Sequence, residues 1–410
     1  MPGARGFVPR VLLYHASRDL VPLYAVYSLL FADHGISASH ISLLLIIWSA
    51  TSFVFEVPSG AWADAFDRRH LLVASAFVYA AGFATWMMWP TFPGFALGFV
   101  LWGLSSSLMS GTFESLVYDE LVERGAAGVY PSLIGWAHST AMLANLGATL
   151  VAAPLLAVGG YPLVGWASVA ICGGQAVLAA GLPVSERARR PTHDSPFAET
   201  ERATSRYVAM LRAGLAESRH QPDVRRVLLL AAAMVGLTAY DEYFPLVARA
   251  HGVTTADIPL LVAITVAGQV IGTALVGRTA RLPARAVGGL LAVGAASVSV
   301  GALVTPYAGF VAIGVGYGLL NNAMLVGETR LQDTIAGPAR ATVTSVLGFL
   351  EEVVALLVYA AFALGSHVLG FPALVALLAV PVLVLAGAVA RHLPPAGGVR
   401  EDSSPDVSPS

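Results

Sequence analysis

Apolar runs of twenty or more residues recur from one end of this chain to the other, and that recurrence decides which solvent it folds in. Each run is long enough to cross a hydrocarbon core of roughly 30 Å at about 1.5 Å per residue. With 56% hydrophobic and 12% charged residues over 410 positions, the chain is wrong for two or three soluble domains. Lipid offers the backbone no hydrogen-bond partners, so each run must satisfy itself as a helix. The period-two alternation of a membrane barrel is absent, and the runs are too long for barrel strands.

The spans fall at 9–33, 39–63, 70–89, 93–121, 130–158, 161–183, 226–249, 256–279, 284–304, 306–334, 340–366 and 369–392, twelve in all. The first is too long and too charged for a cleaved signal. Cys172 is the sole cysteine and lies inside a span, which leaves no disulfide framework and no thiol metal cluster. Every basic residue other than histidine is arginine. Arg5, Arg10, Arg68, Arg69, Arg124, the nine arginines from Arg187 to Arg226, Arg278, Arg281, Arg285, Arg340, Arg391 and Arg400 all fall on one side of this map. The opposite loops hold only Arg249. Positive charge stays on the cytoplasmic side, so the expectation is a multi-pass protein of the inner, cytoplasmic membrane with both termini in the cytoplasm. The net charge of −2 gives no reason to expect nucleic acid as a partner.

Residues 184–225 break the pattern with a charged stretch around Pro191, Asp194, Pro196, Glu199 and Glu201, expected to be a cytoplasmic linker. It separates an N-terminal six-helix bundle, 1–183, from a C-terminal one, 226–393, and residues 394–410 are expected to be a disordered tail. The two halves repeat each other. Gly35-Ile36-Ser37-Ala38-Ser39-His40-Ile41-Ser42-Leu43-Leu44 matches Gly252-Val253-Thr254-Thr255-Ala256-Asp257-Ile258-Pro259-Leu260-Leu261 in character at an offset of 217 residues, which also carries Gly60 onto Gly277. Glu114 and Asp119 map onto Glu328 and Asp333, and Asp19-Leu20-Val21-Pro22 echoes Glu242-Tyr243-Phe244-Pro245. Parallel halves around an axis along the membrane normal place a substrate site between them near the bilayer centre.

Between spans two and three runs Gly60-Ala61-Trp62-Ala63-Asp64-Ala65-Phe66-Asp67-Arg68-Arg69. A small residue there permits close helix approach, and a carboxylate at the membrane surface can dock on a helix N-terminus or an arginine. This stretch resembles the cytoplasmic signature of the major facilitator superfamily: a glycine, an aspartate four residues later and a basic cluster. Ser110-Gly111-Thr112-Phe113-Glu114-Ser115-Leu116-Val117-Tyr118-Asp119 and Arg340-Ala341-Thr342-Val343-Thr344-Ser345 are similar to recurrent segments of its bacterial members. The resemblance implies an all-α membrane protein, twelve transmembrane helices in two pseudo-symmetric six-helix bundles, and a loop that stabilises the state closed to the cytoplasm. Ala65 stands where a basic residue is common and Asp67 where glycine is usual, so this latch is expected to be weaker or wired differently.

Helix rise converts position into depth. At about 1.5 Å per residue, Arg18 and Asp19 lie roughly 14 to 16 Å from the cytoplasmic end, near the centre. Glu351, Glu352, Asn321, Asn322, Gln269 and Asn145 reach similar depth, and Asp241 and Glu242 sit in the outer half of span seven. Ionised groups in lipid face a partner or a wet cavity, so these residues are the expected coupling or substrate groups. Arg18 cannot release a proton and is suited to hold a carboxylate or an anionic substrate group. His15 lies one turn before Asp19, so a proton relay and a satisfied packing histidine both stay open. Nearer the cytoplasm, Glu56, Gly60, Asp64, Arg68, Arg69, Glu114 and Glu328 form the expected gate, while Asp119, Glu120 and Glu123 are expected to be interfacial and solvated. His138 is expected to be a hydrogen-bonded core residue.

No phosphate-binding loop ends in lysine, because lysine is absent, and the ten histidines are scattered. The chain is therefore expected to be no enzyme and to carry no cofactor or metal. Transport must run on an ion gradient or on the solute's own gradient. Asp19 followed by Pro22, and Gly147, Pro154, Gly159 and Gly160 in span five, resemble features of drug exporters of this superfamily. That resemblance implies a proton-coupled exporter, an antiporter for drug-like or secondary-metabolite cargo, working as a monomer by alternating access with protons, a small molecule and the bilayer as partners. A proton-driven uptake symporter for a small metabolite is the second expectation, since Arg18 and the central amides suit carboxylates or hydroxyls. A non-transporting sensor or scaffold of the same fold is the third, and it would leave solute movement unchanged when Asp19 is neutralised.

Overall fold

A computed structural model describes residues 6–184, 200–202, 204–210, 212, 222–334 and 339–396, with the side chains at 61, 64, 65, 222–224, 331–334 and 339–344 outside the description. Most of the expected linker, and the tail from 397 onward, lie outside the described residues. The elements are α1 (Phe7–Asp19), α2 (Tyr27–Asp33), α3 (Ala38–Ala65), α4 (Arg68–Met88), α5 (Phe92–Met109), α6 (Thr112–Glu123), α7 (Tyr130–Ala180), α8 (Pro222–Gly236), α9 (Phe244–Ala250), α10 (Ile258–Thr279), α11 (Ala284–Leu303), α12 (Pro306–Thr334), α13 (Ala339–Gly365) and α14 (Phe371–His392).

Among the described residues nine helical stretches are long and apolar enough to cross a membrane. Twelve spans follow once breaks are read. The stretch Ala127–Ala180 contains two spans, which part at Gly160, whose φ of 61° and ψ of −161° only glycine adopts without strain. Span one is interrupted between α1 and α2, and span eight is a shorter apolar helix, Ile258–Ala274, by the same measure.

The interruptions have local causes. Pro22 has no N–H and starts the 3-10 turn Pro22–Ala25, and the Leu23 N–H donates instead to Ser168 Oγ on α7 at 3.1 Å. Pro245 plays the same part in span seven, where Leu237–Tyr243 winds as 3-10 helix before α9. Span four breaks at Gly111, with φ of 68°. Asp67 caps α4, its Oδ1 accepting from the N–H groups of Arg69 at 2.9 Å and His70 at 3.2 Å, which accounts for an aspartate at that loop position.

Packing follows the internal repeat. In the first bundle α3 packs on α5, α5 on α4, and α1 and α4 on α7. In the second, α10 packs on α12, α12 on α11, α11 on α14, and α8 on α13. Two seams join the bundles, α3 with α13 and α7 with α10, and exchanging the halves converts one seam into the other. A dense aromatic core of Phe31, Phe83, Trp86, Phe95, Phe99 and Trp102 fills the first bundle. In the second, α10 and α12 meet through glycine: a Cβ on Gly268 would stand 2.0 Å from the Gly314 carbonyl oxygen, and one on Gly272 would stand 2.2 Å from that of Gly318.

The face where α1 begins, the first bundle ends and α14 ends is called the linker face below. It is secured by Arg330, which is 2% exposed and donates to the carbonyls of Leu282, Ala280 at 3.1 Å and Pro394 at 3.0 Å. Replacing Gly268 with leucine should cost about 1–3 kcal/mol of stability, because backbone must move to admit the side chain. Gly277→Leu, on the same helix with nothing within 4 Å of its Cβ position, should leave the thermal unfolding midpoint in detergent unchanged.

Candidate functional site

The broken spans one and seven face each other across the seam between bundles, and a cavity of about 360 Å³ lies there. Its wall carries Arg18, Asp19, Asp241, Glu242, Asn145 and Gln269 from the set picked out in the sequence, along with Tyr24, Tyr27, Trp48, Trp102, Phe244 and Tyr317. Both breaks therefore deliver an acid to one chamber, each acid three residues before its proline.

The arginine and the acids are held differently. Arg18 is 7% exposed, donates to Ser105 Oγ at 2.7 Å and Ser106 Oγ at 3.0 Å, and stacks over the Tyr79 ring at 3.7 Å. Among the described residues serines and a ring hold this guanidinium, which was expected to hold a carboxylate or an anionic substrate group, and no carboxylate pairs with it. Glu242 accepts a hydrogen bond from Tyr27 of the other half, and Asp241 accepts from Tyr317 at 2.5 Å. Asp19 has no hydrogen-bond partner among the described residues.

A second cavity of about 620 Å³ shares Asp19, Asn145 and Gln269 with the first and continues past Asn321, His138 and Glu328 toward the linker face. His138 and Glu328 are both exposed to it, so His138 is a wall residue rather than the packed core histidine expected. Asn321 Nδ2 donates to Thr273 Oγ1 at 2.9 Å and to the Gln269 carbonyl at 3.2 Å, tying α12 to α10. His15 is buried, with its ring 5.1 Å from that of His138 and 4.9 Å from that of Phe113.

Three expected cavity residues stand off both linings. Asn322 turns away and donates to the Gly272 carbonyl at 2.8 Å. Glu352 accepts from Ser49 on the α3–α13 seam, and Glu351 is its neighbour on α13. Helix rise gives depth and not direction, so it could not tell which faces of α12 and α13 turn toward the cavities.

Among the described residues the gate set does not assemble into one latch. Arg68 pairs with Asp119, joining α4 to α6 within the first bundle, and Glu56 accepts from Ser110 at 3.0 Å, joining α3 to the turn before α6. Arg69 donates its backbone N–H to Asp67. Glu114 buries one carboxylate oxygen with no hydrogen-bond partner, and Glu328 sits on the second cavity. The Asp64 side chain lies outside the described residues. Gly60 was expected to allow close helix approach, yet a Cβ there would meet nothing within 4 Å, and the same holds for its repeat mate Gly277. Asp119 and Glu120 are not solvated ends: Asp119 holds Arg68, and Glu120, 1% exposed, pairs with Arg124 at 2.5 Å.

The face opposite the linker is different. Arg249 donates to the Asp33 carboxylate at 2.7 Å, Tyr161 donates to the same group at 2.6 Å, and deeper in, Ser42 and Tyr243 share a hydrogen bond of 2.7 Å. Arg249–Asp33 and Ser42–Tyr243 cross between halves, while Tyr161 braces Asp33 from within the first. Sequence reasoning noted Arg249 as a lone arginine but missed its partners, although Asp33 ends span one as Arg249 ends span seven. Among the described residues no group of three or more His, Cys, Asp or Glu side chains could hold a metal.

Known proteins place this architecture. The family model of the Major Facilitator Superfamily matches residues 11–359. A curated MFS-type transporter of uncharacterised function, YxaM of Bacillus subtilis strain 168, is 35% identical over 78 residues, which is 18% of this chain and 19% of that protein, so the match spans about a fifth of the relative. Among solved structures, the D323A mutant of the nucleoside transporter NupG aligns with a TM-score of 0.73 at 12% identity, covering 93% of this chain and 98% of that one. A D-xylose–proton symporter aligns at 0.66 with 14% identity over 95% and 97%. A bacterial homolog of the human lysosomal transporter Spinster, captured inward-facing and unoccupied, aligns at 0.64 with 16% identity over 96% and 94%. At such identities the structures speak for the fold alone, while the family match covers most of the chain. The protein belongs to the Major Facilitator Superfamily and is a membrane-embedded secondary transporter.

Proposed function

We propose that this transporter is a proton-coupled exporter of the cytoplasmic membrane, carrying cationic or amphipathic small molecules, with its linker face toward the cytoplasm. The observation that carries this reading is the imbalance of charge at the central cavity. Asp19, Asp241 and Glu242 line it against one guanidinium among the described lining residues, that of Arg18, whose charge the bonds to Ser105 and Ser106 leave in place, so acids outnumber bases there three to one. Hydroxyls satisfy part of a carboxylate's demand for donors but leave its charge in place. A chamber with uncompensated negative charge inside lipid favours a bound cation or a proton. It does not favour both at once, because whichever enters first removes the charge that attracts the other. Mutual exclusion of this kind is what exchange of cargo for protons requires. Tyr24, Tyr27, Trp48, Trp102, Phe244 and Tyr317 add ring faces suited to an organic cation.

The excess of arginine on the linker face supports the cytoplasmic assignment. The two halves, 1–183 and 226–393 with 184–225 between them, are the proposed moving bodies. The cross-half contacts Asp33–Arg249 and Ser42–Tyr243 close one end of the chamber, while Gly60 and Gly277 stand open at the other. Uptake of a small hydroxylated metabolite together with protons is a second reading, favoured by the amide layer of Asn145, Gln269 and Asn321 around the second cavity.

In proteoliposomes under an imposed pH gradient, movement of a lipophilic cation should run opposite to the proton, and Asp19→Asn or Glu242→Gln should lower the gradient-driven rate at least about tenfold. A rate indifferent to collapse of the gradient would refute proton drive. Accumulation of labelled solute in whole cells expressing the protein decides direction: an exporter lowers the internal level, and a rise selects the uptake reading.

A further inference from the structure

The faces of α10 and α12 that turn away from the central cavity enclose an apolar groove of about 450 Å³. Ile271, Leu275, Val311 and Val315 form its rim and are exposed, which in a bilayer means exposed to acyl chains. Its floor is bare because the glycines at 268, 272, 314 and 318 bring the two helices into backbone contact. Close helix contact explains the small residues by itself, but it does not explain the polar group set into this surface.

That group is Asn322. It lines the groove and is 3% exposed; its Nδ2 donates to the Gly272 carbonyl at 2.8 Å, and its Oδ1, itself buried, has no hydrogen-bond partner among the described residues. Turning the amide over gives no relief, since Oδ1 would then face the Gly272 carbonyl, acceptor against acceptor. The other polar lining residue, Thr279, gives its hydroxyl proton to the carbonyls of Leu275 and Val276 on its own helix, at 3.2 Å each. Hydrocarbon supplies no donor, and an acceptor left unmatched there is costly. An apolar slot with one fixed, vacant acceptor selects for a molecule with an apolar chain and one donor.

We propose that this groove is a binding site for a lipid-soluble alcohol: a long apolar chain lies along Ile271, Leu275 and Val315, and its hydroxyl donates to Asn322 Oδ1. The proposal is independent of proton coupling and of cargo direction. It places the occupant on the outer side of the helix whose other face presents Gln269 to the transport cavity.

The test uses the full chain in lipid nanodiscs and two photoreactive probes, a diazirine-bearing hexadecanol and the matching hexadecane. The alcohol should label peptides of α10 and α12 roughly three- to tenfold more than the hydrocarbon, the range that one net hydrogen bond supplies. Asn322→Leu should bring the two probes to equal labelling. Ile271→Trp, at a position 60% exposed, fills the groove without touching the Asn322–Gly272 bond and should abolish labelling by the alcohol while the unfolding midpoint holds. Equal labelling by both probes in the unaltered protein would overturn the proposal, as would alcohol labelling that survives Ile271→Trp.

Discussion

A carboxylate persists inside a bilayer only beside water or a partner, and in this protein the backbone creates that refuge twice. Pro22 and Pro245 each remove an N–H from a span, the helix yields there, and an acid three residues earlier in each span lines the resulting chamber. The surrounding features follow from that arrangement. The Leu23 N–H finds Ser168, Tyr27 and Tyr317 donate to the acids, and Arg18 is braced by serines. A chamber built from two repeated breaks necessarily lies where the two bundles meet.

Its ends are unequal. Away from the linker, an arginine, an aspartate and a tyrosine from both halves converge, whereas toward the linker the shared wall of Asp19, Asn145 and Gln269 leads into a second chamber. The pseudo-symmetry of the seams, α3 with α13 and α7 with α10, fits the proposed motion, in which each bundle rotates as a body over contacts that the other mirrors. In the proposed motion Gly60 and Gly277, with nothing among the described residues within 4 Å of either Cβ position, are where helices approach when the linker face closes.

Most of the fold was legible because hydropathy, proline and glycine act locally. Apolar runs gave all twelve spans, and depth counting put Arg18, Asp19, Asp241, Glu242, Asn145 and Gln269 on a common chamber. Azimuth was not legible. Asn322, Glu351 and Glu352 stand off both cavity linings, since rise along a helix says nothing about which neighbour a side chain meets. Long-range contacts were also hidden: Asp33 with Arg249 across the halves, and Arg330 with three carbonyls within the second, join residues far apart in sequence with no periodic signal. The departure at Asp67, by contrast, had a local signal that was overlooked, an aspartate directly before a helix start.

The central claim is that the bundles rock about the acid chamber, so the two faces must open and close in opposition. Spin labels at Gly60 and Gly277 report the linker face, and labels at Ser39 and Ala256, at the start of spans two and eight, report the other. Distance distributions measured by double electron–electron resonance, with pH and added lipophilic cation varied, should show one pair lengthening as the other shortens. Two distances that stay fixed, or that change in the same direction, would contradict the account.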